Sequence, residues 1–375
     1  MERATIGMVG TYPPTYCGIA SFSASLVDAL AKRRGSRRGL GVVRLGDGVG
    51  PDPIEVVGRL EPDDRRSISR AAAILNHYDA VILQHEYGIY GADSGRHVLD
   101  LVEGLDSPPL VNFHTVLAAP TPQERLVLQR LAEMTSVAVV MSRGAAQRMI
   151  EVYAVDPEKI WVIPHGANGF LDGESIGGRS DPFVLTWGLV GPGKGLELAI
   201  EAMTHLPGVR YVIAGRTHPK VAAHEGEAYR HRLQRQVRAL GLQDRVGFVS
   251  RYLDRIELSR LVRGAGVILL PYENTEQVTS GVLVDAIASL VPVVATRFPH
   301  AVELAHEGAV IAVPHRDPKA MAKAVSSLLS SPQLRAQMAP AQARLAETFK
   351  WDKAASGYLR ALDFMAEAAI DAVVA

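Results

Sequence analysis

At 375 residues the chain is long enough for two α/β domains. Its 47% hydrophobic and 21% charged content excludes a disordered or fibrous chain and suits an enzyme with real cores. Basic and acidic side chains number 40 each, so no net field draws it to nucleic acid, and the single cysteine, Cys17, excludes an internal disulfide.

From the first residue onward, Met1 to Gly7 offers too short an apolar run for a signal peptide. No stretch approaches the roughly 18 apolar residues of a spanning helix. A reducing, cytoplasmic setting is therefore expected. Strand-like apolar runs follow at Thr5–Gly10, Val42–Leu45, Ala80–Gln84, Leu110–Phe113, Val137–Met141 and Trp161–Ile163. They resume at Phe183–Trp187, Tyr211–Ala214, Val246–Val249, Val267–Leu270, Val293–Ala295 and Ala309–Val313. Short apolar strands alternating with helix-length segments predict parallel sheets built from βαβ units. Twelve exceed one comfortable sheet, and the polar, Gly-rich stretch Gly169 to Asp181 interrupts the series. The expected fold class is thus α/β with two Rossmann-like domains, residues 1–168 and 169–350, and a closing helical segment, 351–375.

Candidate residues appear at strand ends, where open α/β sheets gather ligands. Lys32, Arg33, Arg34, Arg37 and Arg38 crowd the end of the first helix. They either make a weak contact with anionic lipid at a membrane surface or simply complement the helix C-terminus in solvent; the second reading is preferred. His85 and Glu86 follow the third strand and either contact a ligand or support the loop. His114 follows the fourth and is expected to face the interdomain cleft, the bland alternative being a histidine bonded to a nearby carbonyl. The two histidines are not read as metal ligands, because zinc needs more donors.

The loop Gly188-Leu189-Val190-Gly191-Pro192-Gly193-Lys194-Gly195 separates a strand from a helix. It nearly matches a P-loop, but Gly195 stands where the magnesium-binding hydroxyl belongs. A dinucleotide fingerprint needs a different glycine spacing, although Arg216 after the next strand could imitate an NADP phosphate contact. A third option is a nucleotide-sugar site, with Lys194 neutralising a diphosphate and the glycines letting it approach; the plain alternative is a glycine turn with a solvated lysine. Later, Pro271 to Asp285 leaves an apolar strand and opens a second helix. Free N–H groups around Val278, Thr279, Ser280 and Gly281, with the helix dipole, suit a phosphate. Asp285 could reach a ribose hydroxyl, and Thr279 or Ser280 could instead merely cap the helix. Glu273 and Glu276 read as solvated loop charges.

Together these segments resemble the family 4 retaining glycosyltransferases, two-domain GT-B enzymes. The Lys194-Gly195 turn resembles their glycine turn, and Gln277 and Asp285 occupy the positions of two glutamates eight apart. Ala286 to Thr296 resembles the family's helix-to-strand passage. Pro13 to Ile19 resembles the acceptor loop, Val162 to Asn168 the domain junction, and Phe349-Lys350-Trp351 the approach to the last helix. This chain has Leu189 where the family usually carries an arginine, leaving Arg216 as the substitute cation.

The resemblance implies a metal-independent transferase that takes a mannose- or glucose-type hexose from a GDP or UDP donor. The acceptor would be a carbohydrate or a lipid-linked hydroxyl, and no cofactor beyond the co-substrate is expected. Implied catalytic residues are His114, Lys194 and Gln277. Implied donor contacts are Gly193, Lys194, Arg216, Val278 to Gly281 and Asp285, and Cys17, Gly18, His85 and Glu86 fall to the acceptor side. The last helix is implied to cross back to the first domain. Two rivals stand beside this: a non-catalytic nucleotide-sugar binder, because both motif glutamates are replaced, and an NADP-dependent oxidoreductase.

Overall fold

The computed structural model describes residues 4–46, 50–169 and 182–374. The expected linker, Gly169 to Asp181, lies outside the described residues from position 170 onward. The chain divides into two compact units, Met1–Gly166 with Trp351–Ala375, and Ala167–Lys350.

The first unit holds a seven-stranded parallel sheet. Its strands are β1 (Ile6–Gly10), β2 (Leu40–Leu45), β3 (Val56–Leu60), β4 (Ala80–His85), β5 (Leu110–Phe113), β6 (Val137–Val140) and β7 (Ile160–Val162). They lie in the order β3-β2-β1-β4-β5-β6-β7. The second unit holds β8 (Phe183–Trp187), β9 (Arg210–Ala214), β10 (Val246–Val249), β11 (Ala265–Leu270), β12 (Val293–Thr296) and β13 (Ile311–Val313). Their order is β10-β9-β8-β11-β12-β13, again all parallel. The α/β expectation of two Rossmann-like sheets is met.

Central strands β1, β5, β6, β11 and β12 are buried along their whole length. Parallel strands are covered by helices on both faces, which is why they read as unbroken apolar runs. Strand β3 escapes that pattern. Val56 and Gly58 are half-buried, Val57 and Arg59 exposed, and Gly58 leaves room for the Ile74 side chain. An edge strand with a glycine at its centre carries little apolar signal.

Each sheet reverses its strand order once, between β1 and β4 and between β8 and β11. Loops at those two switch points are where such sheets bind ligands. The loop ending at Cys17 follows β1, the glycine turn follows β8, and the segment from Pro271 follows β11.

The helix Trp351–Val374 belongs to the first unit and packs on the helix Gly18–Arg34. Ala355, Tyr358 and Leu362 are buried in that contact's core. Trp351 and Phe22 meet edge to face with ring centres 5.1 Å apart, and Arg33 bonds Asp352 at 2.9 Å. A side chain at Gly166 would run into the Trp351 ring, which fixes glycine there. Within the second unit, the Ala167 N–H donates to Phe349 O at 2.5 Å, and Ala167 bridges Lys350 in parallel.

Candidate active site

In the second unit the glycine turn is fastened on two sides. Gly215 and Gly188, both at positive φ, let two backbones touch: a Cβ at 215 would sit 1.8 Å from Gly188 O. Val190 donates to Arg216 O at 2.9 Å and His218 to Val190 O at 2.8 Å. On the other side Glu273 N–H donates to Gly193 O at 2.9 Å. Gly195, at φ 63°, lies against Pro271 O and begins the helix Leu196–Ala202. Lys194 is half-buried, and its ammonium stands 4.2 Å from the centre of the Tyr272 ring. Burial lowers its pKa from the ordinary lysine value. A cation over an aromatic face keeps its charge where few waters reach it.

Arg230, missed by sequence reasoning, holds the neighbouring loop. It is almost fully buried and bonds Glu227 at 2.9 Å, Gly215 O at 2.8 Å and Ser250 Oγ at 3.1 Å. Arg216 is half-buried on that loop. His218 caps the short helix after it through Nδ1, and its pKa is lowered by burial first and then by Lys220 and Lys194. Lys194 is thus electrostatically close to the Arg216 loop.

The second donor-side segment is more internally bonded than expected. Ser280 caps the helix Gly281–Ala288 by accepting from Leu283 N–H at 3.2 Å. Its own N–H donates to Nδ1 of buried His300 at 3.0 Å. The Ser280 amide is therefore withdrawn from the set expected to meet phosphate, which is a correction. Val278 is buried, and the Thr279 hydroxyl is buried without a partner. The side chain of Gln277 donates to Thr279 O at 3.0 Å. Glu273 is not a free loop charge either; it pairs with Arg316 at 2.9 Å.

Asp285 also differs from its expectation. Its Oδ1 accepts from Asn168 N–H at 2.7 Å and its Oδ2 lies 3.4 Å from Asn168 Nδ2. Part of the side chain still meets solvent, yet dense surrounding protein pushes its carboxyl up to about 7; Asn168 opposes that rise.

In the first unit, Cys17 acts as a helix cap. Its Sγ accepts from Ala20 N–H at 3.3 Å and lies 3.2 Å from Thr11 Oγ1. Gly18 has nothing within 4 Å of where a Cβ would stand. Glu86 ties two loops together, accepting from Tyr87 N–H at 3.0 Å and from Thr115 Oγ1 at 2.6 Å. His85 is a correction: it is 0% exposed, sits between Tyr87 and Phe113, and neither ring nitrogen has a partner. A ring so enclosed cannot touch a ligand, and burial lowers its pKa to about 3.

His114 is half-buried at the end of β5, with Nε2 2.8 Å from Gln84 Oε1. Burial lowers its pKa to about 3, with smaller contributions from His165 and His85. Phe22 meets its ring edge-on at 5.0 Å. The basic run at the end of the first helix is largely committed to the protein itself. Arg33 holds Asp352, Arg34 donates to Ala4 O, and Arg37 pairs with Asp28 and Glu55. Among the described residues, no helix is long and apolar enough to cross a membrane.

Residues 176–344 match the family model described as glycosyl transferases group 1. The chain is similar to the D-inositol 3-phosphate glycosyltransferase of Xylanimonas cellulosilytica, 30% identical over 64% of this chain and 60% of that protein. The enzyme of the same name from Segniliparus rotundus is 26% identical over 67% of this chain and 60% of its own. The match thus spans about three fifths of these curated relatives. Among solved structures, Anabaena Alr3699/HepE in complex with UDP and glucose has a TM-score of 0.78 at 17% identity. That likeness covers 96% of this chain and 99% of the other. Sucrose-phosphate synthase from Thermosynechococcus elongatus has a TM-score of 0.77 at 20% identity, covering 97% and 100%. At such identities the likeness concerns the fold, which is that of GT-B proteins.

Proposed function

We propose that this chain, whose residues 176–344 match the family model of glycosyl transferases group 1, moves a hexose from a nucleoside diphosphate to an acceptor hydroxyl, retaining the anomeric configuration and using no bound metal. Lys194 carries the reading. It places a poorly solvated ammonium on a glycine turn at the β8/β11 switch point, where backbone can approach a phosphate closely. Breaking the anomeric C–O bond leaves charge on the departing diphosphate, and a fixed cation there stabilises the transition state. The acceptor oxygen bonds the anomeric carbon on the face being vacated, and its proton passes to a leaving phosphate oxygen. No enzymic base is then required. His114 is assigned to the donor sugar, and Arg216 supplements Lys194.

UDP is the favoured nucleotide, supported by the UDP and glucose held by the Anabaena protein of similar fold; GDP is the alternative. A polyol phosphate is the favoured acceptor, supported by the name of the curated relatives. Calorimetry with UDP and GDP, followed by a UDP-release assay on UDP-glucose, tests the reading. Lys194→Ala should weaken UDP binding and slow release about a hundredfold. Unchanged kinetics in that variant would overturn the assignment. A second reading, a nucleotide-sugar binder without turnover, is favoured by Gln277 and Asp285 being engaged with Thr279 and Asn168. Tight UDP binding with no turnover of UDP-glucose or GDP-mannose selects it.

A further inference from the structure

Polar side chains in the middle of a parallel sheet are costly, because helices cover both faces and displaced water must be replaced. The first sheet nevertheless sets Gln84 and Asn112 directly opposite one another on β4 and β5, each 0% exposed. Asn112 Nδ2 donates to Gln84 Oε1 at 2.9 Å, and His114 Nε2 lies 2.8 Å from that same oxygen. Asn112 Nδ2 is also 3.1 Å from His114 Nε2. The remaining polar atoms, Gln84 Nε2 and Asn112 Oδ1, have no partner. A pair of apolar side chains would avoid that penalty.

On the neighbouring strand, Gly10 makes the arrangement fit. A Cβ there would stand 2.8 Å from Gln84 Cβ and 2.9 Å from its Cγ. Any other residue at position 10 displaces the amide. Phe22 then presses edge-on against the imidazole and stands equally close to His165.

An amide oxygen has two lone pairs, so Gln84 Oε1 can accept from Asn112 Nδ2 and from His114 Nε2–H together. The opposite tautomer would accept a longer bond from Asn112 Nδ2 at 3.1 Å but point the same Nε2 lone pair at an oxygen lone pair 2.8 Å away, so the shorter contact decides for Nε2–H. We propose that Gln84 and Asn112, seated by Gly10, are positioning residues that hold His114 as its Nε2–H tautomer and leave Nδ1 as an acceptor for a sugar hydroxyl. The role of Nδ1 rests on the assignment of His114 to the donor sugar; control of the tautomer does not. The titratable groups facing the ring are His85 and His165, both kept neutral by burial.

The test uses the full chain labelled with 15N-histidine, with long-range 1H–15N spectra and the His114 signals identified by their loss in His114→Asn. The wild type should show the neutral Nε2–H pattern, unchanged between pH 8 and 5. Gln84→Leu should give mixed or Nδ1–H tautomers. Gln84→Glu preserves shape, keeps Nε2–H and moves the ring's titration up into that pH range, a check that survives if the leucine variant fails to fold. An Nδ1–H wild type, or an Nε2–H pattern undisturbed in both variants, overturns the proposal. UDP release from UDP-glucose reads the other question. A roughly tenfold lower kcat in Gln84→Leu with unchanged UDP affinity supports His114 at the sugar. An altered tautomer with unaltered kcat removes His114 from the sugar while leaving the tautomer control standing.

Discussion

Gly195 and Gly18 each begin a helix, and they differ in what a methyl group would meet. At Gly195 the φ of 63° and the Pro271 carbonyl 1.8 Å from an added Cβ make alanine strained on two counts. The left-handed conformation alone costs an alanine about 1–2 kcal/mol. Gly195→Ala should therefore lower the melting temperature and lose UDP binding, because the turn can no longer lie against β11's exit. Gly18→Ala meets open space, so its melting temperature should match the wild type. A fall in transfer with unchanged UDP affinity then reports an acceptor passing close to Gly18, and unchanged transfer rejects that path. Both glycines lie in sequence motifs, yet only folding separates a packing requirement from an access requirement. Asp285 makes the same point. Its partner, Asn168, lies 117 positions away, so a carboxylate engaged at the unit's edge looks identical in sequence to one awaiting a ribose.

Among the elements, the strands were the most legible. Burial on both faces writes β1, β4, β5, β11 and β12 as apolar runs, and the two switch-point loops followed from where those runs end. Strand β3 was not legible, because Gly58 and the exposed Val57 and Arg59 break its pattern. Nor were contacts that join distant elements. Arg230 lies on the helix Ala228–Ala239 among other charged residues, and nothing local tells its buried guanidinium from its solvated neighbours. Replacing it tests its place as a brace for the Gly215–His218 loop. Arg230→Met leaves Gly215 O without its donor, which should cost about 1–3 kcal/mol in denaturant unfolding. UDP affinity should fall with it, because Val190 and His218 bond across that loop. A variant stable to within 0.5 kcal/mol, with normal affinity, would reject Arg230 as the brace of that loop.

At the scale of the whole chain, the two units carry opposite proton linkage. In the first, burial depresses His85 and His114 to about 3 and His165 to about 4, below an unfolded value near 6.5. The unfolded state therefore binds more protons, and stability present above pH 6.5 is lost as pH falls toward about 3. In the second, Asp285 is raised to about 7 from 3.8, so the folded state binds the extra proton and stability declines as pH rises between those values. Scanning calorimetry between pH 5 and 7 should raise the first unit's transition and lower the second's. His85→Phe should flatten the first slope and Asp285→Asn the second; parallel slopes in wild type and variants would refute the linkage.

The return of the chain from Lys350 to Trp351 has a consequence for synthesis. The second unit is one uninterrupted length, whereas the first is assembled from two pieces that flank it. A ribosome emitting about 5–20 residues per second delivers all of Ala167–Lys350 before the helix that Phe22 and Arg33 await. For those seconds the first unit has all seven of its strands but not its closing helix, and the apolar face of Gly18–Arg34 that this helix covers stays open. Chaperones would meet this protein at its beginning, late in its translation.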